Sequence, residues 1–445
     1  MCMKQKRRKS YSGITGAVLM VAFLQLGAVT AAFAQVQQKH LTERSLTNPS
    51  LVDAFYRQRE GRLFWLESEA SIDDSLQQEL VRIIKEDAPR QGLDPLKYLS
   101  LLPPVISSSE PGESLVYDRM FTDAALTYFT DLYSGDPRLR TRVGSDEITG
   151  KYQVSDRQHV INLLGKANNS VLLRALVTEL EPSQPFYQAL KQELQQQLEL
   201  GDRKKAASLA ISLNNCRWFF HFRFKHFVVV NIAAAELNYF EQDSVKLNMR
   251  IVAGKPSTMT PRFVTYCDEV ILYPYWNVPR SIAVNEILPF CKKNLVVLDI
   301  LRMQVINSKG MVVDPKQLDW KKFSAKNFPY RFRQSTGCDN ALGVIKFNLS
   351  SPYSVYLHDT NLKSNFEAAK RYFSHGCIRI QKPLELANEL LEEKLDEGFL
   401  TAGIKGQQPI PKKIAKPVPV FVLYMTADVT AAGTVGYFPD VYGLL

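Results

Sequence analysis

Three signatures are missing from these 445 residues. There is no Cys-x-x-Cys, which removes the common spacing of a structural zinc site or a redox dithiol. There is no Ser-x-x-Lys, which argues against a serine nucleophile paired with lysine. No nucleic-acid-binding motif accompanies the balance of 55 Lys and Arg against 45 Asp and Glu, so the formal charge of +10 carries no nucleic-acid expectation. Histidine is as scarce as cysteine, at six each. His221 and His226, beside the aromatic run Trp218-Phe219-Phe220, lack metal-ligand spacing, and His40 and His159 belong to no pattern. Neither a metal nor a cofactor is expected.

The first 34 residues have the order of a secretory signal. Lys4, Lys6, Arg7, Arg8 and Lys9 form a basic start, residues 14–32 are mostly apolar, and Ala32-Phe33-Ala34 offers small residues for cleavage before Gln35. Export to the periplasm or cell envelope is the expectation. Left uncleaved, the same apolar stretch is nearly long enough to anchor the chain in a membrane. Cys2 lies on the wrong side of that stretch for a lipoprotein cysteine. Cleavage would remove five positive charges and no negative one, so +10 falls to +5, a modest value that a solvated surface explains. It would leave Cys216, Cys267, Cys291, Cys338 and Cys377, an odd number that guarantees at least one free thiol in an oxidising compartment. Spacing does not tell how the others pair, or whether they do.

The remaining chain of about 410 residues, with 45% apolar content over the full sequence, is long enough for two or three packed units. Residues 35–200 read as helical, with helices expected over 75–85, 118–132, 171–180 and 187–200 between Pro and Gly breaks. Polar and small residues from Gly201 to Ser212 open a linker expected over 201–226. From 227 to 445 the chain turns β-rich, with strands expected over 227–232, 247–252, 354–357, 378–380 and 418–424 and helices over 363–372 and 383–394. Charged and aromatic residues between 279 and 334 interrupt this unit. The expected fold is α+β and multidomain, a helical scaffold followed by a β-rich unit with an insertion.

The chemistry concentrates in the β-rich unit. Ser374-His375-Gly376-Cys377 precede Ile378-Arg379-Ile380, and His358 stands sixteen residues before Ser374 in Val355-Tyr356-Leu357-His358-Asp359-Thr360. A cysteine becomes a strong nucleophile when an imidazole takes its proton. Two neighbouring strands would bring Cys377 and His358 together. Gly376 permits a tight turn that would aim the amides of Gly376 and Cys377 at a developing oxyanion. Alone, Cys377 is more often a core residue; its combination with His358 is what points to acyl transfer.

With its flanks, this motif resembles the signature of the L,D-transpeptidases. Residues 337–343 (Gly337-Cys338-Asp339-Asn340-Ala341-Leu342-Gly343), Lys346-Phe347, Tyr273-Pro274-Tyr275-Trp276-Asn277-Val278-Pro279 and Phe328-Pro329-Tyr330-Arg331-Phe332 are similar to stretches of the large, two-domain members. The likeness is strong from Arg217 onward and weak over 51–198. It implies an N-terminal scaffold domain, a β-rich L,D-transpeptidase catalytic domain, and peptidoglycan stem peptides as substrates. Cys377 would attack the third, diamino residue of a tetrapeptide stem and expel D-alanine. The side-chain amine of a second stem would then resolve the thioester as a 3-3 cross-link. Hydrolysis, as by an L,D-carboxypeptidase or a peptidoglycan amidase, is the alternative.

By position, the resemblance implies Cys377 as nucleophile, His358 as acid/base, and the Asp359 backbone or a neighbouring group as the element fixing the imidazole tautomer. Tyr356, Ser374, His375, Gly376 and Arg379 would line the site. His375 is left between a second base and a structural residue bonding the backbone. Arg379 is left between a ligand for a stem carboxylate and a structural ion-pair partner. The insertion 279–334 looks like a lid over the groove. Large members carry a peptidoglycan-binding module between scaffold and catalytic unit, and only 201–212 occupies that place here. The family likeness also implies carbapenem β-lactams as inhibitors and association with other cell-wall enzymes.

Overall fold

The computed structural model describes residues 46–66, 75–103, 111–151, 153–337, 339–396, 398 and 408–445. The signal-like segment 1–34 and Cys338 lie outside the described residues. Among the described residues no helix is long and apolar enough to cross a membrane.

The N-terminal unit is helical: Pro49–Gln58, Leu76–Arg90, Pro95–Leu99, Pro111–Ser134, Gln153–Leu164, Ser170–Leu180 and Pro185–Glu199. Local chemistry sets several starts. The Ser75 hydroxyl accepts from the Gln78 N–H and the Asn169 side-chain amide oxygen from the Leu172 N–H, each satisfying an otherwise orphaned first-turn donor. Leu76, Leu80, Ile83 and Ile84 recur at helical spacing and are all buried against Phe55, Tyr98 and Phe129 in one core. Asp118, fully buried in that core, accepts from the Phe64 and Trp65 N–H groups at 2.9 and 2.7 Å and from the Tyr56 hydroxyl. A carboxylate so surrounded is stable without water and ties the 64–66 segment to the long central helix.

The expected linker over 201–226 is instead largely an 18-residue helix, Arg203–Phe220. The Asp202 carboxylate caps it by accepting from the Lys205 N–H, and Leu209, Leu213, Cys216 and Phe220 fall on one face. That face and Trp218-Phe219 pack into a core shared with Tyr187 and Leu190 of the helical unit and with Phe227, Val229, Phe240, Phe421 and Leu423 of the β unit. Polar composition concealed the periodicity. The segment joins the two units rigidly because it buries residues from both.

The β unit is a ten-stranded sheet whose main path runs from Phe263–Leu272 through Ile345–Leu349, Leu357–His358, Ile378–Ile380, Ser244–Gly254, Glu236–Glu241 and His226–Asn231 to Ile410–Leu423. The last strand pairs parallel with His226–Asn231 and antiparallel with Phe263–Leu272, which closes the path on itself. The ring encloses Val228, Val230, Leu237, Ile251, Phe263, Ile345, Leu357, Ile378, Ile380 and Val420. Of the strand expected over 354–357 only its end forms, as Leu357–His358. The helix expected over 363–372 is a short 3-10 turn, Lys363–Glu367, followed by the strand Tyr372–Ser374. There the Tyr372 hydroxyl donates to the Ala233 carbonyl at 2.6 Å and the Arg371 guanidinium to the Ala234 and Ala235 carbonyls, pulling the chain out along Ser244–Gly254.

The insertion folds as a lobe with its own core. Its sheet runs Trp276–Asn277, Arg331–Gln334, Met303–Ile306, Val312–Val313. Trp320 stacks on Phe332 with 6.2 Å between ring centres, among Val278, Leu288, Leu298, Val305 and Phe328. Within Asp319-Trp320-Lys321-Lys322-Phe323, Trp320 and Phe323 pack into this core while Asp319, Lys321 and Lys322 face solvent.

Candidate active site

Strand register assembles the site. Leu357–His358 runs parallel to Ile378–Ile380 with Leu357 opposite Ile378 and His358 opposite Arg379, and the Ile378 N–H donates to the Tyr356 carbonyl at 3.1 Å. On the other edge His358 stands opposite Lys346. Because side chains alternate along a strand, Tyr356, His358, Cys377, Arg379 and Lys346 share one face. That face floors a cleft of about 740 Å³, walled by Thr258, Met259, Pro352 and Tyr353 on the sheet unit and by Trp276, Ser281, Ile282 and Glu286 on or beside the lobe.

The Cys377 sulfur is on this floor, in touch with solvent through the cleft mouth yet surrounded by protein. Burial pushes its pKa up from the usual 9.0, while the N–H and hydroxyl of Tyr356 and the charges of Lys346 and Arg379 pull it down. The thiol lies 3.7 Å from the Ser354 carbonyl, which accepts from it. Tyr356 is held in turn by the Trp276 indole and by the Lys346 ammonium 4.3 Å above its ring.

His358 is buried, 4% exposed. Burial first, and then the positive charge of Arg379, lower its pKa to about 3, so the resting imidazole is neutral. Its Nδ1 lies 2.5 Å from the Asp359 carbonyl oxygen. A carbonyl can only accept, so Nδ1 carries the proton and Nε2 keeps its lone pair. The Asp359 carboxylate accepts from the Val344 N–H at 3.0 Å and pairs with Lys363. Arg379 is half buried, its pKa lowered by burial, and among the described residues it makes no ion pair.

The loop that carries Cys377 is braced from two sides, and here two expectations change. The Ser374 hydroxyl accepts from the Gly376 N–H at 3.0 Å and donates to the Cys377 carbonyl at 2.5 Å. Ser374 therefore holds the turn, and the Gly376 amide is not available to an oxyanion; the Cys377 N–H, with no acceptor among the described residues, is the remaining donor. Gly376 has φ +115, a backbone state that side-chain-bearing residues rarely adopt. Behind it, the Thr260 hydroxyl donates to the Gly376 carbonyl and accepts from the Gly254 N–H, both at 2.9 Å. Tyr442, near the C-terminus, donates to the Gly254 carbonyl at 2.6 Å. Among the described residues the His375 side chain bonds no backbone group; its Nε2 lies 2.8 Å from Oε1 of Glu286 on the lobe.

All eight residues singled out by the sequence meet at or just beneath this cleft. Four others belong with them: Lys346, Trp276, Thr260 and Glu286. Lys346 had a signal, a lone cation in the apolar run Val344-Ile345-Lys346-Phe347. Trp276 lay in the family-like stretch 273–279 with no role attached to it, and Thr260 and Glu286 had no signal, because tertiary folding alone brings them here. Cys216, Cys267 and Cys291 are buried free thiols whose pKa values burial raises, whereas Cys377 lines the cleft.

Residues 225–418 match the L,D-transpeptidase catalytic domain (YkuD), and residues 50–194 match the scaffold domain. A Haemophilus influenzae protein provisionally named an L,D-transpeptidase is 29% identical over 332 residues, which span 74% of this chain and 66% of that protein. Among solved structures, the catalytic domain of an E. faecium L,D-transpeptidase acylated by ertapenem is similar at 14% identity. That likeness covers 45% of this chain and 97% of the other, with a TM-score of 0.24. A Mycobacterium smegmatis L,D-transpeptidase is similar at 13% identity over 44% of this chain and 58% of its own, with a TM-score of 0.20. At those scores the superpositions add nothing to the domain matches.

Proposed function

We propose, from the premise that this chain belongs to the L,D-transpeptidase family by its catalytic and scaffold domains, that it is an exported peptidoglycan L,D-transpeptidase forming 3-3 cross-links. The observation that carries this is the cleft floor, where the Cys377 thiol, the neutral His358 and Arg379, without an ion pair among the described residues, lie on or at the start of adjacent parallel strands. In the first half-reaction the Cys377 sulfur attacks the carbonyl carbon of the third residue of a tetrapeptide stem. Nε2 of His358 takes the thiol proton and passes it to the departing amine as the C–N bond to D-alanine breaks. The Cys377 N–H faces the oxyanion, and Arg379 pairs with a stem carboxylate. In the second half-reaction the side-chain amine of an acceptor stem attacks the thioester, a new C–N bond forms, and the C–S bond breaks. The sulfur then regains its proton.

The lobe supports the lid reading, since Pro279, Ser281, Ile282 and Glu286 wall the cleft. A site built for acyl transfer to sulfur should also open a β-lactam ring, and we read carbapenems as acylating Cys377. The test is to incubate the protein with a tetrapeptide muropeptide and read the products by mass. A cross-linked dimer is expected; tripeptide alone would replace this reading by a carboxypeptidase. Cys377→Ala should give no product and no carbapenem adduct, and His358→Ala should lose about a hundred- to ten-thousand-fold in rate. Turnover at the wild-type rate in Cys377→Ala would refute the assignment.

A further inference from the structure

The cleft is polarised. Its floor carries the positive charge of Arg379, with Lys346 beneath, while Glu286 is the only carboxylate among the described residues that line it. Glu286 reaches the cleft from the lobe on a five-residue π-helical stretch, Ala283–Ile287, set between Arg280–Ile282 and Leu288–Cys291. Such stretches are rare, and they recur where a helix must re-aim a side chain at a functional site. This one presents Glu286 to His375, two residues from the nucleophile, with 2.8 Å between Oε1 and Nε2. Both side chains remain partly open, 51% and 36% exposed, so a molecule in the cleft can touch them.

The chemistry of the second half-reaction asks for such a pair. A primary amine is almost wholly protonated at neutral pH, and an ammonium group has no lone pair with which to attack. It needs an anion to hold it and a base to take one proton. Arg379 repels a cation and the neutral His358 carries no negative charge, so neither supplies the anion that holds an incoming ammonium. We propose that Glu286 and His375 form the acceptor subsite: the Glu286 carboxylate holds the protonated side-chain amine of the acceptor, and His375 takes the proton it must lose. This rests on the thioester at Cys377 proposed above. One proton passes from the ammonium to the His375 imidazole, whose positive charge Glu286 then balances. The freed nitrogen attacks the thioester carbonyl, the C–N bond forms as the C–S bond breaks, and the second nitrogen proton leaves with the sulfur by way of His358. The proton on His375 returns to solvent.

The experiment sets two acceptors against each other in one tube: a tetrapeptide stem, whose amine is cationic, and hydroxylamine, which is mostly neutral at pH 7. The readout is the ratio of cross-linked dimer to hydroxamate, which does not depend on how much folded or acylated protein is present. Glu286→Gln should lower that ratio about five- to tenfold, His375→Gln should move it in the same direction, and Glu286→Asp should hold it near the wild-type value. An unchanged ratio in Glu286→Gln would overturn the proposal and leave the pair as a latch between lobe and nucleophile loop. Absence of both products in the wild-type protein would instead show that no thioester forms, which defeats the parent reading and this one with it.

Discussion

Thr260→Val is the substitution that best isolates how Cys377 is positioned. It keeps the shape of the side chain and deletes one hydroxyl, which in the folded protein donates to the Gly376 carbonyl and accepts from the Gly254 N–H, both at 2.9 Å. Thr260 is 2% exposed, so water cannot replace the lost partner. Leaving a buried donor or acceptor unpaired costs about 1–3 kcal/mol each, and two are orphaned here, giving roughly 2–6 kcal/mol. The loss falls on a glycine held at φ +115 one residue before Cys377. Displacement of the sulfur by a fraction of an ångström to an ångström should slow its acylation about ten- to a hundredfold. Two measurements check this: the denaturant midpoint, and the rate at which Cys377 gains one carbapenem mass under single-turnover conditions. Thr260→Ser, which retains both hydrogen bonds, serves as the control for the missing methyl group. If Thr260→Val acylates and unfolds like Thr260→Ser, the brace does not position the nucleophile and the argument fails.

Two further outcomes follow from groups outside the reaction itself. Asp428 is buried at the end of the sheet, where burial raises its pKa from 3.8 to about 7 while Asn231 and the Val429 N–H partly offset the rise. With a folded pKa above the unfolded one, its stabilising contribution is complete below about pH 4 and is lost as the pH rises through 7, on the order of 4 kcal/mol in all. Asp428→Asn should therefore gain stability relative to the wild type between pH 5 and pH 8; parallel denaturation midpoints across that window would contradict this. Gly343 has φ +59, and a Cβ there would stand 2.2 Å from the Asp359 carboxylate, next to the carbonyl that orients His358. Gly343→Ala should destabilise the protein by about 2 kcal/mol or more and slow Cys377 acylation as well, and an unfolding midpoint equal to the wild type would show that the loop yields freely.

The sequence alone determined the class of fold and the family likeness, and it pointed to the residues on which the proposed chemistry rests. Ser374-His375-Gly376-Cys377, with His358 upstream, needs only local information: a thiol, an imidazole, and a glycine where φ must be positive. The β-branched runs Phe227-Val228-Val229-Val230 and Ile378-Arg379-Ile380 marked strands because their side chains suit a pleated, buried surface. Composition misled where periodicity should have been counted, in the Arg203–Phe220 helix, and where distant carbonyls captured Arg371 and Tyr372. What only the tertiary structure decided was partnership. Whether the Gly376 amide faces a substrate or Ser374, whether Arg379 is paired, and which group meets His375 depend on residues far away in the chain. The clearest case is Glu286, which has no more signal in the sequence than any other surface glutamate and becomes part of the site because a lobe inserted between strands folds back over the cleft. Hydrogen bonds and charges act over a few ångströms in space, and a linear chain records such distances only between neighbours.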